Sequence, residues 1–193
     1  KFNNENYSYS GGLHGVGASV VNALSRWVTV DVFRDWTHWR MSFASKFDPA
    51  EGKVTAGVPQ GPLEKVGNTR KRGSLVRFLP DDTIFEDIRF NSDLVARHLQ
   101  EQAFLNKGLR IVFTDERDKN PETRERVFHY EGGIVDFVKY LDADKTVLHD
   151  APVYLEGKRD DVIFKAAFQY TDGYTENIFS YANNIPTGEG GSH

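Results

Sequence analysis

The sequence predicts an α+β chain, and three patterns carry that expectation. Val20, Val21 and Leu24 recur at helical spacing directly after a glycine-rich stretch. Val28, Val30 and Val32 alternate with Trp27, Thr29, Asp31 and Phe33, which is the period-2 signature of a strand. Up to Leu141 helical and extended patterns are mixed, whereas the remainder reads as strand.

In chain order, residues 17–25 form the first expected helix and residues 27–34 the first strand. A turn at Asp35-Trp36 leads into residues 37–43, its expected hairpin partner. Residues 46–61 are rich in Pro, Gly and charge and read as a loop or hairpin tip. Residues 73–79 read as a strand that stops at Pro80-Asp81-Asp82. Ser92 is the expected N-cap of a helix over residues 93–106, with Gly108 as its stop and Leu94, Val95, Leu99 and Phe104 facing inward. Residues 109–114 alternate as a strand, and residues 115–126 read as a charged surface turn with Pro121 at its bend. Residues 133–141 form a short helix with Ile134, Phe137, Val138 and Leu141 on one side. Strands are expected over residues 153–156, 162–170 and 174–183, with Asp172-Gly173 as a hairpin signal between the last two. A domain boundary is expected near residues 130–133, giving domains 1–131 and 132–193.

Composition narrows the chemistry. The 193 residues carry 24 Lys+Arg against 28 Asp+Glu, a net charge of −4, so bulk charge attraction does not make this stretch a DNA binder. The absence of cysteine excludes a disulfide scaffold, thiolate-bound metal and a cysteine nucleophile. No apolar run approaches the roughly 20 residues that cross a bilayer. The chain opens on Lys1, has Met41 as its only methionine and closes on a glycine-rich run. Both ends are therefore expected to be cuts in a longer protein.

The densest functional text is Ser10-Gly11-Gly12-Leu13-His14-Gly15-Val16-Gly17-Ala18-Ser19. Glycines let backbone N–H groups approach an anion, and a helix starting near Gly17 adds free N–H donors. This suits a phosphate cradle, although two familiar ones fail. A P-loop requires Gly-Lys-Ser/Thr where Gly17-Ala18-Ser19 stands. A dinucleotide fingerprint requires Gly or Ala where Val20 stands, after an apolar strand that Tyr7-Ser8-Tyr9-Ser10 does not supply.

From Ser10 through Ser25 the wording closely resembles the ATP-lid motif of the B subunits of bacterial type IIA topoisomerases, gyrase B and topoisomerase IV B, which belong to the GHKL ATPase superfamily. Further phrases extend the resemblance: Arg72-Gly73-Ser74-Leu75-Val76-Arg77-Phe78, Ala103-Phe104-Leu105-Asn106-Lys107-Gly108, His129-Tyr130-Glu131-Gly132-Gly133, and the run from Asn183-Asn184-Ile185-Pro186 to Gly191-Ser192-His193. The resemblance implies the C-terminal part of a GHKL (Bergerat-type) α/β sandwich, followed by the start of a transducer domain. It implies ATP phosphates wrapped by Gly12, Leu13, His14, Gly15, Val16, Gly17 and Ala18, with Lys1 near the phosphates and Tyr7 against the nucleotide. Ser74 stands where the family has a threonine on the adenine side, and Arg34 where it has an arginine on the pocket rim.

The resemblance places the general-base glutamate, the Mg²⁺ asparagine and the adenine-reading aspartate before Lys1, and the γ-phosphate lysine and glutamine after His193. No catalytic or metal-binding residue is thus expected within the chain, and His14 is read as a backbone donor rather than a base. The basic run Lys65, Arg70, Lys71 and Arg72 is read as a solvated turn. Implied partners are a second B subunit in an ATP-dependent homodimer, the gyrase A subunit in a heterotetramer, and double-stranded DNA, in the bacterial cytoplasm with no membrane. Competing readings are topoisomerase IV B within the family, a GHKL chaperone or histidine kinase, and a binding module in which residues 11–17 are only a turn.

Overall fold

The computed structural model describes residues 16–160 and 162–188. Lys1, Tyr7, Gly12, Leu13, His14 and Gly15 lie outside the described residues. The chain divides into two compact units, Lys1–Arg89 and Phe90–His193.

In the first unit, helix α1 (Gly17–Ala23) leads into β1 (Ser25–Arg34) and its antiparallel partner β2 (Thr37–Asp48). The two residues between them, Asp35 and Trp36, have φ of 51° and 61°. Two successive left-handed residues give the hairpin turn that matches the right-handed twist of its strands. Tryptophan is poorly suited to that backbone, and its side chain is 71% exposed, so it offers little packing in return. Trp36→Gly is expected to stabilise this unit by about 1 kcal/mol; a urea midpoint that stays level or falls would contradict the turn geometry.

The expected loop over residues 46–61 is corrected. β2 continues to Asp48, and β3 (Lys53–Pro59) returns along it, leaving only a short tip that contains Gly52. β4 (Glu64–Asn68), not anticipated from sequence, pairs with the opposite end of the same β2 edge, Thr37 opposite Asn68 and Arg40 opposite Glu64. β5 (Gly73–Pro80) pairs with β1, completing a five-stranded sheet in the order β3-β2-β1-β5 with β4 beside β2. β5 ends where the buried carboxylate of Asp81 accepts hydrogen bonds from the Thr83 backbone N–H (2.9 Å) and hydroxyl (2.7 Å).

In the second unit, α2 (Ser92–Leu105) packs on the hairpin of β6 (Arg110–Thr114) and β7 (Glu125–His129). Its N-cap is Asn91 rather than Ser92, the Asn91 Oδ1 accepting the Leu94 N–H at 2.9 Å. The buried face carries Ala96, Ala103 and Phe104, while Leu94, expected inward, is 50% exposed. The cause is phase: the shortest, closest-packing residues of α2 face β6 and β7, which rotates Leu94 outward. The core gathers Ala96, Ala103 and Phe128, with Leu99, Ile111, Phe113 and Tyr130 around them. The expected turn over 115–126 instead holds the short helix α3 (Pro121–Arg124) and the start of β7.

Gly133, with φ of 60°, begins α4 (Ile134–Leu141). A Cβ there would lie 3.2 Å from Lys107 Cβ, so both the backbone and the space favour glycine. β8 (Val153–Arg159) and β9 (Val162–Phe168) form a hairpin with Val153 opposite Phe168. The expected strand over 174–183 is corrected to a two-residue strand, β10 (Tyr181–Ala182), paired with β11 (Ile185–Pro186). Tight turns therefore sit at Asp160 and at Asn183-Asn184, all with positive φ, and Asp172-Gly173 does not join paired strands.

Candidate functional site

Three of the sequence-nominated lid residues, Val16, Gly17 and Ala18, stand at the start of α1 and are exposed. Among the described residues the helix has no side-chain cap, and its first turn holds no acidic residue. Its first N–H groups consequently have no partner within the helix and face no competing carboxylate there. α1 packs on β1, β2, β3 and β5. Asn22 Nδ2 donates to the Gly57 carbonyl at 3.3 Å, and Gly57 has φ of 65° with no room for a Cβ beside Asn22. This close approach seats the helix that follows the glycine phrase.

Ser74 lies opposite Val32 in the β1–β5 ladder. Arg34 is two residues beyond Val32, so the strand period puts Ser74 and Arg34 on one face, at one end of the sheet. The Ser74 side chain is exposed and makes no hydrogen bond among the described residues. Arg34 is exposed and loosely paired with Asp35 at 3.2 Å. Val32 and Val76 of that face are 37% and 55% exposed, leaving an open apolar surface around a free hydroxyl. The structure thus brings Ser74 and Arg34 together, whereas α1 leads into the other end of β1. A recess of about 170 Å³ lined by Arg40, Ser42, Gln60, Gly61, Pro62 and Glu64 contains none of the nominated residues.

On the opposite face sits a group that the sequence did not single out. Asp31 is 1% exposed. Its Oδ1 accepts from His38 Nε2 at 2.6 Å and Arg40 Nε at 2.7 Å, and its Oδ2 from Arg77 Nη2 at 3.1 Å. Burial pushes the carboxyl up, but the hydrogen bonds from His38 and Arg40, the Arg40 charge and the bond from Arg77 outweigh it and bring it down to about 2. The carboxylate therefore stays ionised and ties β1 to both neighbouring strands. Strand alternation puts Asp31 on the face of Trp27, Thr29 and Phe33; only the register reveals that Arg40 is directly opposite it.

Lys65, Arg70, Lys71 and Arg72 are exposed; the expected turn is corrected at Lys65, which stands in β4 opposite Trp39, while Arg70, Lys71 and Arg72 lie between β4 and β5. Among the described residues no group of three or more His, Asp or Glu side chains could hold a metal ion. No helix among them is long and apolar enough to cross a membrane.

Comparison with known proteins bears on the same stretch. The family model for DNA gyrase B matches residues 133–193. The chain is 46% identical to the B subunit of DNA topoisomerase 4 from Enterococcus faecalis, over all of this chain and 26% of that protein. It is 47% identical to the B subunit of DNA gyrase from Clostridium acetobutylicum, over all of this chain and 28% of that protein. The chain thus spans about a quarter of the length of these relatives. A crystal structure of the 43K ATPase domain of Thermus thermophilus gyrase B, in complex with an aminocoumarin, superposes with a TM-score of 0.72 at 38% identity, covering 90% of this chain and 44% of that one. The B subunit of Myxococcus xanthus DNA gyrase gives 0.66 at 28% identity, over 85% of this chain and 44% of that one. The antiparallel sheet of the first unit and the similarity along the whole of this chain agree: the chain is similar throughout to one stretch of the B subunits of DNA gyrase and DNA topoisomerase 4.

Proposed function

We propose that this stretch forms the lid side of an ATP site and the beginning of a transducer in the ATPase subunit of a bacterial type II DNA topoisomerase, gyrase B in the first instance. The observation that carries the reading is the similarity of 90% of the chain to the ATPase domain of a gyrase B. Topoisomerase IV B is the second reading, favoured by the 46% identity to the Enterococcus protein.

In this reading the amides of Gly12, Leu13, His14, Gly15, Val16, Gly17 and Ala18 hold the phosphates, with Lys1 and Tyr7 beside the nucleotide. Ser74 offers its hydroxyl on the adenine side and Arg34 forms the rim. The uncapped start of α1 and the free Ser74 hydroxyl support these roles. Residues 1–131 then belong to the ATPase domain and 132–193 to the transducer, a division supported by the family match beginning at residue 133. ATP binding closes the lid, two B subunits associate, and hydrolysis with Mg²⁺ resets a clamp on double-stranded DNA in concert with the gyrase A subunit in the bacterial cytoplasm. Mg²⁺ and the hydrolytic base are supplied from outside this stretch.

The test titrates a non-hydrolysable ATP analogue against the intact subunit that contains this stretch. Gly15→Val and Gly17→Val, which crowd the cradle, are expected to weaken binding by at least about tenfold. Unchanged affinity in both would overturn the lid assignment. The 193-residue chain alone is expected to show no ATPase activity above background; steady turnover would contradict the division of labour. Supercoiling against decatenation by the reconstituted enzyme separates gyrase B from topoisomerase IV B.

A further inference from the structure

Two phrases far apart in sequence meet at the C-terminal turn of α2. Asn106, the C-cap of α2, donates its Nδ2 to the Gln102 carbonyl at 2.8 Å, and its Oδ1 accepts from Asn184 Nδ2 at 2.9 Å. Gln102 Nε2 donates to the Asn184 carbonyl at 3.2 Å. The Tyr181 hydroxyl donates to the Glu101 carboxylate in a short bond. The helix end and the β10–β11 hairpin are thus joined by contacts that span 78 to 82 residues.

Among the described residues, the other polar contacts that hold the hairpin are local ones between Ser180 and Thr187. Each of its strands has two residues, turned through Asn183 and Asn184 at φ of 50° and 64°. The Thr187 N–H closes its base on the Ser180 carbonyl at 2.9 Å. A hairpin this short is not stable by itself. Its apolar flanks are largely open: Ile178 is 74% exposed and Phe179 53%, the latter meeting Phe137 at 5.9 Å between ring centroids. By contrast Ala103 and Phe104, on the same helix, are 0% and 1% exposed. An element held by polar contacts rather than buried apolar area opens locally at low free energy. The phenol is a lasting donor, because burial first, and then the Glu101 bond and charge, push its ionisation well above the usual range. A neutral donor on a carboxylate makes the stronger, charge-assisted kind of hydrogen bond.

We propose that the β10–β11 hairpin is a strap that docks reversibly on the C-terminal turn of α2, with Tyr181 on Glu101 and Asn184 on Gln102 and Asn106 as its catches. Release frees the polar end of α2 while the α2–β6–β7 core stays folded. The strap needs no nucleotide, so its test stands apart from that of the ATP site.

The experiment is native-state amide hydrogen exchange on the 193-residue chain. The Thr187 amide is expected to exchange through local opening at least about 100-fold faster than the amides of Ile111 and Phe128, paired in the core hairpin. Tyr181→Phe removes only a hydroxyl and is expected to lower protection at Thr187 by about a further tenfold, leaving the core unchanged. Asn184→Gly retains the left-handed turn while deleting a catch, and is expected to show the same selective loss. Equal protection of Thr187 and the core in the native chain would overturn the strap. So would variants that leave Thr187 unaffected, or that lower core protection to the same extent.

Discussion

Phe104→Ala is expected to destabilise the second unit by about 3–5 kcal/mol, the range for deleting a fully buried aromatic ring. Phe104 is 1% exposed and stacks on Tyr130 at 3.6 Å between centroids, on Phe137 at 4.9 Å and near Tyr140 at 5.4 Å. The ring therefore joins three elements: α2 contributes it, the end of β7 leads to Tyr130, and α4 supplies Phe137 and Tyr140. Stacked aromatic pairs add about 0.5–1.5 kcal/mol beyond their buried area. These neighbours are anchored on separate elements, so they cannot simply collapse into the cavity. Urea unfolding monitored by near-ultraviolet circular dichroism checks this; a loss below about 1 kcal/mol would mean that the site refills. Phe104→Leu keeps much of the volume and is expected to fall between the two.

Asp31→Asn is expected to destabilise the first unit by about 2–3 kcal/mol, less than a fully buried ion pair because Arg40 and Arg77 remain partly exposed. The amide keeps the shape but turns one accepting oxygen into a donor facing a guanidinium or an imidazole. The pH dependence has a definite sign. The carboxyl is lowered from 3.8 to about 2 in the folded chain, so the unfolded chain binds the proton more readily. The stabilisation is complete above the ordinary carboxylate value and is lost as pH falls from about 4 towards 2. Acid titrations followed by fluorescence of Trp27, Trp36 and Trp39 report on this sheet. The native chain is expected to lose stability over that window, and Asp31→Asn to flatten the loss. Parallel acid limbs for the two would show that other carboxylates govern the transition.

Much of the architecture was legible in local patterns. Alternating valines located β1, the Asp35-Trp36 break located its turn, and helical spacing located α1, α2 and α4. The glycine phrase and the later phrases pointed to the gyrase B and topoisomerase 4 B relatives before any contact was known. β3 and β4 lie in stretches rich in charge, glycine and proline, and most of their residues are exposed. Strands with so little apolar burial need no alternation, so no periodic signal marks them. β7 does alternate and buries Phe128, but it has only five residues and starts inside a charged run. Leu94 was misplaced because helical spacing selects a face but not its phase against a partner.

Of the candidate site, sequence nominated residues and structure supplied their neighbours. It put Ser74 beside Val32 and on the face of Arg34, and left Lys1, Tyr7, Gly12, Leu13, His14 and Gly15 outside what it describes. It also revealed Asp31, whose importance no single strand could display.

By itself the sequence determined the α+β class, the principal helices, the first hairpin and the likeness to the gyrase B and topoisomerase 4 B subunits, because each rests on residues close together in the chain. Only the tertiary structure decided that β2 is shared by three partners, that Asp31 is enclosed by cations from two strands, and that Asn106 meets Asn184 across 78 residues. Register and docking are choices among distant segments, and the energies that select them arise only when those segments are brought together.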